Sequence, residues 1–347
     1  MDRVLKIIIA IVAVIVILVA GIRLLGLASS SGLISGHIPA DTSSPSDVTT
    51  LEDTGAVSFR HPLTEEEIAD LISRYDFGTD RYYYYGTLTG EEKKAYSILY
   101  DCVNRADTEV LWGSSIDITD DQVMTVINAI YLDHPELFWM ENGASYSYGP
   151  KNRKVITVQP KYNELVNDLD NNRLLFANKA NEILADARQE ASNGIVFQEA
   201  SIHDSLCDCC EYDENAVNNQ SAFSCLVSGR SVCSGYARAF QYLMNELGIT
   251  TYYVTGRSIL SDNNVAHGWN VVMIGGRGYN VDVTWDDDVG TQLHLPVHAF
   301  FNVTDSQLSE SHQRDELALG VPQCVSEDLS YDKTIGDTPL LEDLIWT

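Results

Sequence analysis

Three residues in the second half of the chain could together perform acyl-transfer chemistry: Cys233, His267 and Asp282. Cys233 lies near the start of GRSVCSGYARAFQYLMNELG, residues 229–248, where apolar residues recur at helical spacing from Ser234 onward. The cysteine is therefore predicted at the N-terminus of a largely buried helix, where unpaired N–H groups and the helix dipole favour a thiolate. A small buried helix residue is the alternative interpretation, and the downstream histidine and aspartate argue against it.

The segments HGWNVVMI and GYNVDVTWD are predicted to form a hairpin around Gly275-Gly276, because glycines adopt the positive φ angles of tight turns. With a two-residue loop, Ile274 pairs with Arg277. His267 and Asp282 then lie diagonally on one face, about 5–8 Å apart at the backbone and within reach of a hydrogen bond. A four-residue loop preserves this arrangement, whereas a three-residue loop separates the two side chains.

These residue types define roles in a Cys–His–Asp triad. Cys233 would attack a carbonyl carbon, His267 would pair with the thiolate and protonate the leaving amine, and Asp282 would orient the imidazole. The backbone N–H of Cys233 is the expected first oxyanion donor. The second oxyanion donor is expected on a side chain between Asn218 and Ser224, and no single residue is assigned.

The composition narrows the class of protein. The chain has 347 residues, 45% of them hydrophobic, which is enough for two domains or for one domain with a large extension. Its net charge of −28 and pI near 4.4 exclude a nucleic-acid binder, because phosphate contact requires a basic surface.

The first residues predict export. Residues 1–28 contain basic residues followed by a long apolar run, which favours a transmembrane signal-anchor over a cleaved signal peptide. Residues 29–57 are rich in Ser, Thr, Pro, Gly and Asp and predict a flexible stalk. The rest of the chain is therefore expected outside a single-pass cell-membrane anchor, or secreted if the anchor is cleaved.

Residues 58–194 are predicted to form an α-rich N-terminal region that supports or shades the second half. Helices are expected after Thr64, Thr89 and Thr119, because each threonine is followed by acidic or amide residues typical of a helix start. ASYSYG and KVITVQP predict a strand pair, and a long helix is expected at about 163–191. Tyrosines 82–85 are predicted to be extended.

The second half is predicted to open with a helix over SIHDSLCDCC that ends near Tyr212-Asp213. TYYVTGR and HAFFNVT are predicted strands. His203 is expected to be a structural partner of the Tyr212-Asp213 turn, and Trp269 and Trp285 are expected to pack on the sheet.

Metal and cofactor sites are not expected. If Cys233 is a free thiol, six of the seven cysteines remain for pairings that the sequence leaves open. The CDCC cluster at 207–210 lacks a CxxC partner and a histidine pair, so metal binding is the minor alternative. Asp286, Asp287 and Asp288 lack the alternate spacing of a calcium loop and predict a solvated loop.

The motifs SVCSGYARAFQYLMNELGI, AHGWNVVMIGGRGYNVDVTWDD and HAFFNVTDSQLSESH resemble the bacterial transglutaminase-like superfamily, a branch of the papain-like cysteine hydrolases. The resemblance implies an α+β fold in which a nucleophile helix packs on an antiparallel sheet. It implies a catalytic domain at 195–315, followed by a C-terminal extension at 316–347. It also assigns Cys233, His267 and Asp282 as nucleophile, base and orienting residue.

The sequence departs from the family pattern in two places near these residues. Gly268 stands where many members have alanine, a change that is predicted to be conservative. Val232 stands where animal transglutaminases have tryptophan, so their oxyanion arrangement does not carry over.

The predicted function is that of an extracytoplasmic enzyme that acts on amide bonds of proteins or peptides. Cell-envelope material is a candidate substrate. Peptide or amide hydrolysis is slightly favoured over crosslinking. The alternatives are a non-catalytic binding or scaffolding module that retains the fold and, from the CDCC cluster, a thiol redox protein.

Overall fold

The computed structural model describes residues 62–75, 77–149, 154–259, 265–293 and 297–336. The predicted anchor at 1–28 and stalk at 29–57 lie outside these residues. Among the described residues, no helix is both long enough and apolar enough to span a bilayer.

The N-terminal region combines helices with a three-stranded antiparallel sheet in the order β1-β3-β2. Its elements are α1 Glu65–Arg74, α2 Tyr83–Thr87, α3 Gly90–Asn104, β1 Val110–Leu111, α4 Asp120–Asp133, β2 Met140–Tyr148, β3 Val155–Tyr162 and α5 Leu169–Gln189. The predicted strand pair and long helix are both present.

Three of these helices begin where the sequence predicts. Thr64, Thr89 and Thr119 each accept a hydrogen bond from the third residue of the helix, whose side chain in turn accepts from the threonine N–H. This reciprocal capping satisfies two N–H groups that have no partner within the helix.

The prediction of an extended segment at residues 82–85 is wrong, because this stretch turns into the short helix α2. The backbone N–H groups of Tyr84 and Tyr85 both donate to the carboxylate of Asp133, at 3.1 and 2.8 Å. The Tyr96 hydroxyl donates to the same carboxylate at 3.1 Å. The buried Asp133 carboxylate on α4 thus accepts hydrogen bonds from the N–H groups at the start of α2. Local strand propensity does not predict this long-range contact.

The second half is built around a four-stranded antiparallel sheet in the order β8-β7-β6-β9. Its elements are α6 Ile195–Cys209, β4 Glu211–Tyr212, β5 Arg230–Ser231, α7 Cys233–Glu246, β6 Thr251–Ser258, β7 Ala266–Ile274, β8 Arg277–Val281, α8 Val283–Leu293, α9 Asp305–Leu308, β9 His312–Arg314 and α10 Tyr331–Thr334. Helix α7 packs on this sheet, in agreement with the predicted α+β architecture.

The β7–β8 hairpin has the predicted register. Ile274 pairs with Arg277 across Gly275 and Gly276, whose φ angles of 59° and 78° suit a tight two-residue turn. The strand itself is shorter than predicted, since β8 ends at Val281 and α8 follows almost directly.

The segment HAFFNVT is not a strand, contrary to the prediction. Its single sheet-like contact is a bridge between Val303 and Asn280. Asn302 has a φ of 54°, which interrupts an extended backbone, and the Phe300 N–H donates to the Asp286 carboxylate at 3.0 Å. The chain therefore forms a turn here despite its apolar pattern.

One continuous hydrophobic core extends from the N-terminal region into the second half. Arg238 of α7 is buried, and its guanidinium donates to the carbonyl oxygens of Tyr131 and His134 at the C-terminal end of α4. The guanidinium also lies 3.9 Å from the centre of the Tyr131 ring. A buried cation thus meets carbonyl groups that the helix leaves without partners.

Helix α7 can approach its preceding loop closely because residue 235 is glycine. A Cβ there would overlap Ser231 Oγ and lie 2.8 and 2.9 Å from the carbonyl oxygens of Ser221 and Asn219. We expect Gly235→Ala to lower the free energy of unfolding by about 1–3 kcal/mol through overpacking, as measured by urea denaturation.

The matched control is Gly90→Ala in α3, where a Cβ would meet no atom within 4 Å. That substitution should be neutral or stabilising by about 0.5–1 kcal/mol, because alanine loses less backbone entropy than glycine in a helix. Equal stability of Gly235→Ala and wild type would contradict the close approach.

Candidate active site

Helix α7 begins at Cys233, as predicted. The preceding residue, Val232, is extended and provides no side-chain cap, so the first turn presents backbone N–H groups beside the thiol. The helix ends at Glu246, and Gly248 follows with a φ of 79°, a conformation that favours glycine. Its apolar face, including Tyr236 and Phe240, is buried.

The structure brings the three predicted residues together. The Nε2 atom of His267 lies 2.6 Å from Asp282 Oδ2, and both side chains are buried. The same imidazole interacts electrostatically with Cys233, which lies in the first turn of α7. Since Nε2 faces the aspartate, the other ring nitrogen is left for the cysteine. This is the order of contacts that a nucleophile, base and orienting residue require.

The environment of His267 favours the charged imidazolium. Burial alone would lower its pKa, but the charge of Asp282, the interaction with Cys233 and the hydrogen bond to Asp282 raise the pKa to about 10. Burial likewise opposes ionisation of Asp282, yet His267 and His312 together hold its pKa well below the ordinary value. The pair is therefore a buried carboxylate–imidazolium pair.

Asp282 occupies the junction between β8 and α8. Its Oδ1 accepts the Trp285 N–H at 3.2 Å, and its carbonyl oxygen accepts the Asp286 N–H at 3.2 Å, as an N-cap residue does. The end of the hairpin thus aims the carboxylate at His267 while the start of the helix holds it in place.

His312, which was not among the predicted site residues, contacts the same carboxylate. Its Nε2 lies 2.9 Å from Asp282 Oδ2, and its Nδ1 lies 2.7 Å from Ser311 Oγ. Burial and the neighbouring charge of His267 lower the pKa of His312, although Asp282 opposes this. A neutral ring that donates from Nε2 and accepts from Ser311 satisfies both contacts. No spacing rule points to His312, because it arrives on edge strand β9.

Two tryptophans surround the histidines. Trp269 is buried and its indole N–H donates to Asn280 Oδ1 at 3.2 Å, which fits the predicted packing role. The Trp285 ring centre lies 4.3 Å from that of His312 and 5.6 Å from that of His267. These rings limit water around the shared carboxylate and strengthen its interactions.

His203 belongs to a second buried cluster, not to the Tyr212-Asp213 turn as predicted. Its two ring nitrogens lie 3.0 Å from Asp204 Oδ1 and 3.2 Å from Asp286 Oδ2. His298 Nε2 lies 2.7 Å from the same Asp204 oxygen. These contacts connect α6 with α8 and the turn before Phe300.

The aspartates that follow Trp285 do not form the predicted solvated loop. Asp286 is fully buried, and Asp287 is 6% exposed. The Tyr236 hydroxyl donates to Asp287 Oδ2 at 2.6 Å, which ties α8 to the nucleophile helix. These aspartates are buried because they have hydrogen-bond partners inside the fold. A run of acidic residues in the sequence does not reveal such partners.

Among the residues that the structure describes, two groups of side chains have potential metal-ligand atoms within 4.8 Å of one another. They are His203, Asp204 and His298, and His267, Asp282 and His312. In both groups the same atoms take part in the hydrogen bonds described above. All seven cysteines, including Cys207, Cys209 and Cys210 of the CDCC cluster, are free thiols.

Gly268 is not a conservative replacement for alanine in this chain. A Cβ at this position would lie 2.6 Å from Cε2 and 2.7 Å from the hydroxyl of Tyr253. The Tyr253 hydroxyl contacts Ser234 Oγ at 3.1 Å, next to Cys233. The absent methyl group therefore allows a tyrosine ring to stand beside the nucleophile.

The loop expected to hold the second oxyanion donor lies against the start of α7. The Val232 N–H donates to the Asn219 carbonyl at 3.2 Å, and Ser234 Oγ donates to the Gln220 carbonyl at 3.2 Å. That a side chain of this loop supplies the second oxyanion donor stays a prediction.

The raised pKa of His267 predicts a pH-dependent contribution to stability. A folded-state pKa near 10, against 6.5 ordinarily, stabilises the protein fully below about pH 6.5 and loses this effect as pH rises through 10. We expect the Tm difference between wild type and His267→Gln to shrink between about pH 7 and pH 10.5.

His312→Gln is the matched control, since its native ring is neutral and its Tm difference should stay constant over that range. A constant difference for His267→Gln as well would contradict the imidazolium assignment.

His312 is expected to position Asp282. His312→Leu removes a hydrogen bond to a buried carboxylate, and such a bond contributes about 1.5–3 kcal/mol. We therefore expect the rate at which iodoacetamide alkylates Cys233 to fall by a factor of about ten or more. His312→Gln, which retains an N–H donor, should recover most of the rate. Mass spectrometry of the Cys233 peptide separates this reaction from the other thiols. Equal rates for leucine and wild type would rule out the role.

Residues 180–283 match the family model of the transglutaminase-like superfamily. No curated protein matches the chain.

Two solved structures share similarity with the chain. One is a candidate cysteine protease from Cytophaga hutchinsonii, 24% identical over 30% of this chain and 37% of that one, with a TM-score of 0.27. The other is a TGase, 14% identical over 51% of this chain and 50% of that one, with a TM-score of 0.28. The chain thus spans half or less of each. The segment that matches the family model contains Cys233, His267 and Asp282, and it is similar to transglutaminase-like domains.

Proposed function

We propose that this chain is a cysteine acyl-transfer enzyme that acts on protein or peptide amide bonds through Cys233, His267 and Asp282. The observation that carries the proposal is the 2.6 Å contact between His267 Nε2 and Asp282. Cys233 lies in the first turn of α7, near enough to raise the pKa of the same ring.

The chemistry follows from these positions. The Cys233 sulfur attacks the carbonyl carbon of the amide, and the C=O electron pair moves onto the oxygen. The backbone N–H of Cys233 donates to that oxyanion. His267 transfers a proton to the departing amine as the C–N bond breaks, which leaves an acyl-enzyme. Asp282 holds the ring and balances its charge throughout.

Water or an amine can then take the acyl group. Water gives hydrolysis of the peptide or side-chain amide, and a lysine amine gives a crosslink. Hydrolysis is slightly favoured in this proposal, on the resemblance of the motifs to bacterial family members.

We further propose an extracytoplasmic location and substrates that include cell-envelope material. The support is the apolar run within residues 1–28 and the basic residues ahead of it. A single-pass anchor would hold the enzyme at the membrane surface.

The decisive experiment uses the full chain in detergent micelles with a primary amine and glutamine-containing peptides. Mass spectrometry distinguishes the products: an amine adduct marks transglutamination, conversion of glutamine to glutamate marks deamidation, and shorter peptides mark proteolysis. Cys233→Ala should abolish whichever product forms.

Two results would overturn the proposal. Product formation that survives in Cys233→Ala would place the chemistry elsewhere. An inactive wild type that captures a protein partner as well as Cys233→Ala does would identify a non-catalytic binding module.

A further inference from the structure

A pocket of about 450 Å³ opens beside the N-terminal end of α7. Ser234 and Tyr253 form its wall on the nucleophile side, and Ser234 directly follows Cys233. Tyr131, Glu141 and other residues of the N-terminal region form the opposite wall, and the loop from Asn218 to Ser221 also lines the pocket. A substrate bound at the thiol therefore has a neighbouring cavity to which both halves of the chain contribute.

The N-terminal wall is shaped by an irregularity in the β2–β3 pairing. Met140 pairs with Tyr162, but the next paired residue is Ala144, opposite Pro160. Three residues of β2 thus stand against one of β3, and two of them, Glu141 and Asn142, line the pocket. Such bulges redirect side chains and are frequent next to active sites.

The pocket contains polar groups that lack protein partners. Within the described part of the chain, the side-chain amides of Asn142, Asn218 and Gln220 make no hydrogen bond. The Thr255 hydroxyl also lines the pocket, and its oxygen is buried without a partner. A buried polar atom of this kind is costly unless a ligand or water satisfies it.

The charge of the lining is negative. Among the described residues, Glu141 is the one acidic or basic side chain that lines the pocket. Lys161, opposite the bulge, packs along Gly143 and is not part of the lining. Glu141 is exposed and forms no ion pair with a described basic residue. An anionic ligand would meet repulsion here, and an apolar ligand would leave the Thr255 oxygen unsatisfied.

We propose that this pocket binds a side chain that carries a primary ammonium group, next to the amide that Cys233 attacks. An ammonium has three donors and no acceptor, which matches the amide and hydroxyl oxygens of the lining, and Glu141 balances its charge. The inference rests on the proposed function, because it names the substrate class of the same site. The ammonium group is a recognition element and does not take the acyl group.

The test uses peptide vinyl sulfones that differ in one side chain: lysine, acetyl-lysine, glutamate or norleucine. The Cys233 sulfur adds to the β-carbon of the vinyl group, a C–S bond forms, and the displaced π electrons take up a proton from the His267 imidazolium. Mass spectrometry of the Cys233 peptide gives the rate for each probe with the full chain.

We expect the lysine probe to react about fivefold faster than norleucine, from an ion pair worth up to about 1 kcal/mol at an exposed position. Acetyl-lysine and glutamate should lose this advantage. Glu141→Gln should bring the lysine-to-norleucine ratio close to one, and Glu141→Lys should invert it. Thr255→Val should reduce the same ratio. Glu316→Gln, the same change at an exposed residue outside the pocket, should leave the ratio as in wild type.

The outcomes separate the two proposals. If no probe labels Cys233 faster than it labels the other thiols, the proposed function fails. If every probe labels Cys233 but the lysine preference is absent or independent of Glu141, the enzyme stands and the ammonium subsite is refuted.

Discussion

One buried carboxylate, Asp282, organises the centre of this molecule. Its Oδ2 contacts both His267 and His312, and its Oδ1 caps the first turn of α8 through the Trp285 N–H. A charge this deep is tolerated only because donors surround it. The hairpin, edge strand β9 and helix α8 must therefore all be in place around this carboxylate. The position of the His267 imidazole depends on all three elements.

Local patterns predicted the parts of this site that lie close in sequence. The Gly275-Gly276 turn set the hairpin register, and strand alternation predicted that His267 and Asp282 would lie close together. Asp282 itself lies one residue beyond β8, where the start of α8 also holds it. His312 could not be found in this way. It reaches the site by pairing with Ser258 in β6, and pairing between distant segments leaves no periodic trace in the sequence.

The incorrect predictions share a physical cause. The apolar or aromatic runs at 82–85 and 298–304 predict extended backbone. However, Asp133 accepts hydrogen bonds from the N–H groups of Tyr84 and Tyr85 in the first run, and Asp286 accepts from the Phe300 N–H in the second. In each case a buried carboxylate on another helix overrode local propensity. The family resemblance identified the nucleophile domain, but it gave no sign that Gly268 makes room for Tyr253.

The contact between Arg238 and α4 bears on whether a shorter segment of the chain would keep the same interactions. A polypeptide limited to residues 180–283 would keep this guanidinium in the middle of α7 but would lose the Tyr131 and His134 carbonyls that receive it. It would also lose the part of the continuous hydrophobic core that lies before residue 180, so apolar side chains that are buried in the full chain would meet water. The segment that matches the family model is therefore shorter than the segment that shares one core.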